Sequence, residues 1–236
     1  MLRHVALFAA GLTLVVLVGC QNLGALLPAG GGQSGALTAE TVAAGLKEAL
    51  NVGTQAAVAR RSAVGGFAND PQSRLALPPN FQKPAAMLRQ VGMGAMVDTV
   101  EARMNAAAEQ AAGKAAPVFV DAIKQMTIND AMGLLKGGET SATDYFRGKT
   151  QDQLAAAFKP VVAAELTKVG ALRSYSDMVA KYQALPLAPK VNLSLEDYVT
   201  TQALTGLFAA VASEEKRIRA DPAARTTALL RRVFAQ

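Results

Sequence analysis

Four polar residues lie three or four positions apart on one predicted helix. They are Asp98, Glu101, Asn105 and Glu109. Such spacing places side chains in a line on one helix face, where paired carboxylates could serve glycoside cleavage as acid and base. However, the apolar residues of the same segment form a stripe on the far side of the helix. We therefore expect the carboxylates to point outward as a solvated face.

Another carboxylate, Glu215, falls inside the apolar stripe of a predicted helix. A lone buried carboxylate is costly, so Glu215 needs a partner or a bound proton. Arg219 lies four residues on, and Arg225 could fold back from the last helix. In one interpretation Glu215 is a pocket acid or a ligand-binding charge that meets Arg219 or Tyr145 in an open cleft. In the other it forms a buried ion pair that fixes the docking of the last two helices, or the helix end lifts out of the core.

Two short motifs match catalytic signatures only in part. Gly148-Lys149-Thr150 resembles the end of a phosphate-binding loop, but Thr143 stands where that loop needs its first Gly, so we interpret the segment as a helix end. Ser213 and Lys216 match Ser-x-x-Lys, yet the chain has no Ser-Asp-Asn or Lys-Thr-Gly element. Neither motif predicts an activity.

The lone histidine, His4, and the lone cysteine, Cys20, both lie near the start of the chain. The remaining sequence therefore offers no Ser-His or Cys-His nucleophile and no His- or Cys-ligated zinc site. We predict no catalytic residue, no metal and no cofactor.

The elements that position these residues are helical from end to end. Apolar residues recur at helical spacing from Thr38 to about Arg61. Further helices are predicted at 81–91, 93–112, 117–125, 128–136, 151–169 (bent or broken at Pro160), 172–184, Ser194 to about Ala220, and after an Asp221-Pro222 cap, with a short segment at 141–148. Thr127 with Asp130 is predicted to cap the helix at 128–136, and Ser194 with Asp197 the helix that begins there. Leu75–Leu77 and Val191–Leu193 could pair as a small two-stranded ribbon. The sequence thus predicts one all-α domain of about nine helices over residues 38–236.

The first residues have the three parts of an export signal. A basic start is followed by an uncharged apolar run, Val5 to Val18, which is shorter than the roughly twenty residues of a membrane span. It ends in Leu17-Val18-Gly19-Cys20, which resembles the lipobox of bacterial lipoprotein precursors. The resemblance implies cleavage between Gly19 and Cys20 (signal peptide 1–19) and lipid on the Cys20 sulfur. The stretch that follows is rich in Gly, Ala, Leu and Pro without periodicity, so residues 20–37 are predicted to form a flexible tether. Gln21, rather than Asp, implies the outer membrane, with the domain facing the periplasm.

The chain carries 24 Lys+Arg against 18 Asp+Glu and contains no Trp. Nucleic-acid binding would need a basic stripe with stacking aromatics, so it is not predicted. The basic residues concentrate only near the C-terminus, from Lys216 to Arg232. They could meet anionic lipid headgroups or form a solvated face with counter-charges.

Several stretches together resemble a family of Gram-negative envelope proteins catalogued as domain of unknown function 4197. They include Asn69-Asp70-Pro71, Met104–Glu109, Ala122–Ile128, Tyr145-Phe146-Arg147, Gly206-Leu207-Phe208 and Arg225-Thr226-Thr227. The resemblance runs from about Leu37 to the C-terminus and implies no activity and no site residues.

Three functions follow as hypotheses. The first is a non-enzymatic, lipid-anchored envelope module that binds a protein, peptidoglycan or a lipid. The second is a carrier that encloses an apolar ligand in a helical cavity, and the third is an envelope enzyme built on carboxylates.

Overall fold

Long helices build the centre of the fold. They are α1 (Ala39–Ser62), α3 (Gly94–Ala112), α6 (Ser141–Lys168) and α8 (Leu195–Ala220). Helix α8 packs against the other three. The structure, a computed structural model, describes residues 38–168, 170–184, 194–225 and 227–234. The predicted signal peptide (1–19) and tether (20–37) lie outside these residues.

Shorter helices surround this centre. They are α2 (Gln82–Gln90), α4 (Ala115–Gln125), α5 (Ile128–Leu135), α7 (Ala171–Gln183) and α9 (Ala228–Phe234), with 3₁₀ turns at Pro79–Phe81 and Pro222–Ala224. No strand occurs in the part of the chain that the structure describes, so the predicted all-α class is confirmed. Leu75–Leu77 is irregular rather than extended in a ribbon, and its suggested partner, Val191–Leu193, lies outside the described residues.

Local sequence signals define several helix starts. Thr38 caps α1 by accepting from the Thr41 N–H, and Ser194 caps α8 by accepting from the Asp197 N–H. Thr127 and Asp130 form the reciprocal capping box predicted for α5. Each cap satisfies backbone donors that the first turn of a helix leaves without a partner. These three boundaries were therefore predictable from local chemistry.

The predicted division of α6 into two pieces is wrong. The helix continues through Gly148-Lys149-Thr150, which is no helix end, and through Pro160. The reason is a stripe of buried residues spaced four apart along its whole length. They are Phe146, Thr150, Leu154, Phe158, Val162 and Leu166. Burial of this continuous face outweighs the local cost of Gly and Pro inside a helix.

The last helix also starts later than predicted. Asp221 accepts from the Ala223 N–H and begins the 3₁₀ turn Pro222–Ala224 rather than α9, which begins at Ala228. The described residues between Thr38 and Phe234 form one compact unit.

An irregular segment between α1 and the first 3₁₀ turn, residues 63–78, is here called the strap. Its Phe67, Leu75 and Leu77 side chains are at most 2% exposed. The strap approaches α8 so closely that a Cβ on Gly206 would lie 2.6 Å from the Phe67 ring. Although it has no regular structure, the strap is therefore part of the core.

Candidate functional site

Glu215 lies on the buried face of α8, as the apolar stripe predicted. Its side chain is 6% exposed, and its carboxylate pairs with Arg219, one turn further along α8, at 2.8 Å. Both oxygens also bind the start of α6. Oε1 accepts from the Ala142 N–H at 3.0 Å, and Oε2 accepts from the Thr143 N–H and hydroxyl, each at 2.8 Å. Glu215 is thus a capping group for another helix.

Arg219 binds the C-terminal end of α5. Its guanidinium donates to the Leu134 carbonyl at 2.9 Å and to the Ser141 hydroxyl at 2.9 Å. A helix N-terminus carries partial positive charge and a helix C-terminus partial negative charge. The carboxylate and the guanidinium therefore each meet the helix end of opposite sign. We call this pair, with the α5 and α6 ends it binds, the clamp.

A small apolar cavity adjoins the clamp. It lies between α1 and α8, with Leu46, Leu50, Val211 and Ile218 in its lining, and measures about 20 Å³. A cavity of this size holds one water molecule. It is too small for the acyl chain or other apolar ligand that a carrier would enclose.

Arg225 does not reach Glu215, so this predicted contact is wrong. Its guanidinium instead donates to the Ile218 carbonyl at 3.2 Å and the Arg219 carbonyl at 2.8 Å. Arg225 therefore caps the end of α8. Its neighbours in the basic run are also engaged, since Lys216 pairs with Glu139 and Arg217 with Glu214. Lys216, Arg217 and Arg219 thus each pair with a carboxylate, as the solvated-face interpretation required of them, whereas Arg225 binds carbonyl groups.

The predicted outward acidic line on α3 is the largest error of the sequence interpretation. Only Asp98 is well exposed, and it pairs with Arg89 at 2.5 Å. Asn105 and Glu109 are 1% and 7% exposed, because the strap covers the α3 face that the helical pattern marked as outward. Glu109 Oε1 accepts from the Phe67 and Ala68 N–H groups at 3.1 and 3.2 Å.

The same line continues along the strap. Asn105 accepts from the Leu75 N–H at 2.9 Å and donates to the Leu75 carbonyl at 2.8 Å, while Glu101 accepts from the Leu77 N–H at 3.2 Å. Glu101, Asn105 and Glu109 are here called the ladder. They satisfy backbone groups that an irregular buried segment cannot pair within itself. Their carboxylates are therefore committed to the fold and are not a free acid and base pair.

Tyr145 lies apart from the clamp, in a surface cleft of about 230 Å³ between α4, α5 and α6. We call this the Tyr145 cleft. Its lining consists of Ala122, Gln125, Thr127, Asp130, Tyr145, Lys149, Thr150 and Gln153. The Lys149 ammonium lies 5.7 Å from the centre of the Tyr145 ring, within cation–π range. The structure therefore separates Tyr145 from Glu215 and Arg219, and the cleft that the carboxylate enzyme required is not formed by these residues.

Two titratable groups of the cleft have shifted pKa values. Burial raises the pKa of the Tyr145 hydroxyl, and the neighbouring Asp130 carboxylate raises it further. The Thr127 N–H bond lowers the pKa of Asp130. Tyr145 is thus a neutral hydrogen-bonding group and Asp130 a carboxylate near neutral pH.

One known family matches most of the chain. A family model described as a protein of unknown function, DUF4197, matches residues 36–235. The chain belongs to the DUF4197 family. Neither a curated protein nor a solved structure matches it. The predicted family is confirmed, and membership brings no activity to any residue of this DUF4197 domain.

Sequence reasoning missed two buried charges of this DUF4197 domain. Arg61 is 3% exposed, donates to the Gly66 and Gly206 carbonyls and pairs with Asp70 at 2.6 Å, so it fastens the start of the strap. Glu214 is 1% exposed and pairs with Arg60 of α1 and with Arg217. Arg61 occupies a position in the apolar periodicity of α1, and this was the sequence signal that could have revealed its burial.

Among the residues that the structure describes, no group of acidic residues is arranged to hold a metal ion, and no helix is both long and apolar enough to cross a membrane. Gly19 and Cys20, the predicted cleavage and lipidation site, lie outside the residues that the structure describes.

Proposed function

We propose that this DUF4197 protein is a lipid-anchored, non-enzymatic binding module of the cell envelope. Lipid on Cys20 tethers it to the outer membrane, and the Tyr145 cleft receives a polar ligand in the periplasm. Support for the anchor comes from the lipobox at Leu17–Cys20. The binding role rests on one observation, the polar lining of the Tyr145 cleft.

Several groups in that lining face the cleft with unused hydrogen-bonding capacity. Gln125, Gln153 and Lys149 are exposed, and within the described structure no hydrogen bond or ion pair engages their amide and ammonium groups. Asp130 and Thr127, by contrast, bind each other in the capping box of α5. A cleft lined by several polar side chains with free hydrogen-bonding groups is typical of a binding site.

The chemistry of the cleft favours a fragment of peptidoglycan. Amides such as those of Gln125 and Gln153 bind hydroxyl and acetamido groups, and the Lys149 ammonium binds a carboxylate of a stem peptide. The volume, about 230 Å³, fits a single sugar or a short peptide rather than an acyl chain. The polar lining is also unsuited to the apolar ligand of a carrier.

An enzyme is less well supported than a binding module. Glu101, Glu109, Glu214 and Glu215 are all engaged by backbone groups or by arginines. Burial and the Asp130 carboxylate raise the pKa of Tyr145, so its hydroxyl stays protonated near neutral pH and does not act as a general base there.

The cleft is tested by titrating soluble muropeptides into the protein and following binding by calorimetry. Gln153→Ala is expected to weaken binding about tenfold, which corresponds to about 1.4 kcal/mol. The matched control is Gln110→Ala, an exposed glutamine on α3 that does not line the cleft. Absence of binding, or equal affinity in both variants, would contradict the proposed role of the cleft.

The anchor is tested separately by intact mass spectrometry of protein recovered from its own envelope. We expect the mass to show loss of residues 1–19 and addition of diacylglycerol, and Cys20→Ser to abolish both. An unmodified Cys20 in membrane-extracted protein would refute the anchor and would leave the muropeptide result unaffected.

A further inference from the structure

The end of α2 and the turn before α3 expose a group of apolar side chains. Met87, Val91 and Met93 are 39%, 55% and 37% exposed, and they lie within seven consecutive residues. Large apolar side chains are exposed to this degree at only two other positions in the part of the chain that the structure describes, Val64 and Ile128. We call residues 87–95 the corner.

The backbone of the corner projects these side chains into solvent. Gly92 has a φ of +81°, a conformation that favours glycine, and nothing lies within 4 Å of the position that a Cβ would occupy. Behind the corner, Leu88 and Val97 are fully buried. The corner is therefore an apolar tip on a rigid base.

The segment that contains the corner is basic in sequence, while the acidic Asp98 and Asp177 lie on its α3 side. No Asp or Glu occurs between Asp70 and Asp98, whereas Arg74, Lys83 and Arg89 all lie there. Lys83 is exposed and pairs with no carboxylate among the described residues, while the other two pair with acids on α3. Lys83 stands one helical turn before Met87 on α2, and an apolar tip beside such an unpaired lysine is complementary to an anionic lipid surface.

The size of the corner also bears on its partner. A stable protein interface buries about 800 Å² on each side, far more than three side chains can supply. A few apolar side chains are, however, enough for shallow insertion among lipid headgroups when another element holds the protein at the surface.

We propose that the corner inserts Met87, Val91 and Met93 into the interfacial region of an anionic phospholipid bilayer. The inserted corner orients the domain on the membrane. This inference rests on the proposed lipid anchor only for bringing the domain to the bilayer. It assigns no role to the Tyr145 cleft.

The test uses Val91→Cys in the full chain, purified from the envelope and reconstituted into vesicles of phosphatidylethanolamine and phosphatidylglycerol. A polarity-sensitive fluorophore is attached to the new thiol. The control is Val64→Cys, since Val64 is 98% exposed in the strap, outside the corner. We expect the label at position 91 to shift to shorter wavelength and to be quenched by quencher-bearing lipids, and the label at position 64 to show neither effect.

Two results would overturn the proposal. One is a spectrum at position 91 that equals that at position 64. The other is a blue shift without lipid quenching, which would indicate a protein contact instead. Lys83→Glu should reduce the shift at position 91, as should replacement of the anionic lipid by phosphatidylcholine.

The number of labels separates this proposal from the anchor proposal. Lipidated Cys20 cannot react, so one label is expected on Val91→Cys. Two labels would refute the anchor. The corner is then tested by adding the Cys20→Ser, Val91→Cys variant to the same vesicles, with the same outcomes supporting or overturning it.

Discussion

The clamp and the ladder use the same chemistry in different surroundings. In each, a buried carboxylate accepts backbone N–H groups of a separate segment: Glu215 from the start of α6, and Glu109 from the strap. Glu215 also pairs with Arg219, whereas Glu109 forms no ion pair within the described structure. A buried charge can therefore be held by a cation and a helix end together or by backbone donors alone.

The segment that each carboxylate holds also differs. The clamp joins α5, α6 and α8, and α6 and α8 are central to the core. The ladder holds the strap, an irregular segment that also contacts α8 through Phe67, against one face of α3. Opening of the clamp should therefore unfold the domain, and opening of the ladder should release the strap while the helices stay folded.

Removal of the clamp carboxylate should have the largest effect. Glu215→Ala leaves the largely buried Arg219 without its counter-charge and the Ala142 and Thr143 N–H groups of α6 without an acceptor. We therefore expect the free energy of unfolding to fall by about 3–5 kcal/mol. Urea denaturation measures it. The control, Glu139→Ala, removes an exposed carboxylate of the same region and should cost under about 1 kcal/mol. Equal effects in the two variants would show that the clamp contributes little.

Removal of the ladder carboxylate should have a smaller and local effect. Glu109→Ala leaves the Phe67 and Ala68 N–H groups without acceptors, at a cost of about 1–3 kcal/mol. We expect faster proteolytic cleavage within residues 63–78 and a nearly unchanged helical circular dichroism signal. Its exposed neighbour provides the control, Gln110→Ala, which should cleave at the wild-type rate. Global unfolding of Glu109→Ala would contradict a local role for the ladder.

Acidification should loosen the strap at its Arg61 end. The Gln72 N–H and Arg61 hold the pKa of Asp70 below its usual range. A lowered folded-state pKa stabilises the fold above the unfolded-state value of about 3.9, and this contribution is lost as pH falls through the folded-state pKa. Proteolysis of the strap should therefore accelerate below about pH 4, and Asp70→Asn should show the faster rate already at neutral pH. A pH-independent rate would contradict this.

The smallest effect is expected at the exposed end of the α3 line. Asp98 is 65% exposed in its pair with Arg89, and such surface pairs contribute about 0.2–1 kcal/mol. Asp98→Ala should therefore change the unfolding midpoint only slightly. If Asp98→Ala lowered the free energy of unfolding as much as Glu109→Ala, the contribution of these α3 carboxylates to stability would not depend on their burial.

The difference between the two regions also explains which parts were predictable from sequence. Glu215 stands inside an apolar stripe, and its partner Arg219 is four residues away on the same helix, so both burial and pairing follow from the helical period. Glu109 lies opposite the apolar stripe of α3, and only a segment about forty residues earlier, at Phe67, makes it buried. Helical periodicity describes one helix and contains no information on a segment that folds back over its polar face.

The same limit applies to α6 and to Tyr145. Gly148 and Pro160 are local breaking signals, but the buried stripe from Phe146 to Leu166 decides that α6 is continuous. The Tyr145 cleft forms only where α4, α5 and α6 meet, so no spacing within one helix could predict its lining. The caps at Thr127 and Ser194, in contrast, involve residues three apart and were predicted correctly.

Amide hydrogen exchange under native conditions tests the comparison most directly. In the wild-type protein, the N–H groups of Phe67, Ala68, Ala142 and Thr143 should all be protected. Glu109→Ala, which removes the acceptor of both strap amides, should accelerate exchange at Phe67 and Ala68 and leave Ala142 and Thr143 protected. Glu215→Ala should accelerate exchange throughout the core. Acceleration at all four amides by Glu109→Ala, or at none of them, would contradict the distinction between a local ladder and a global clamp.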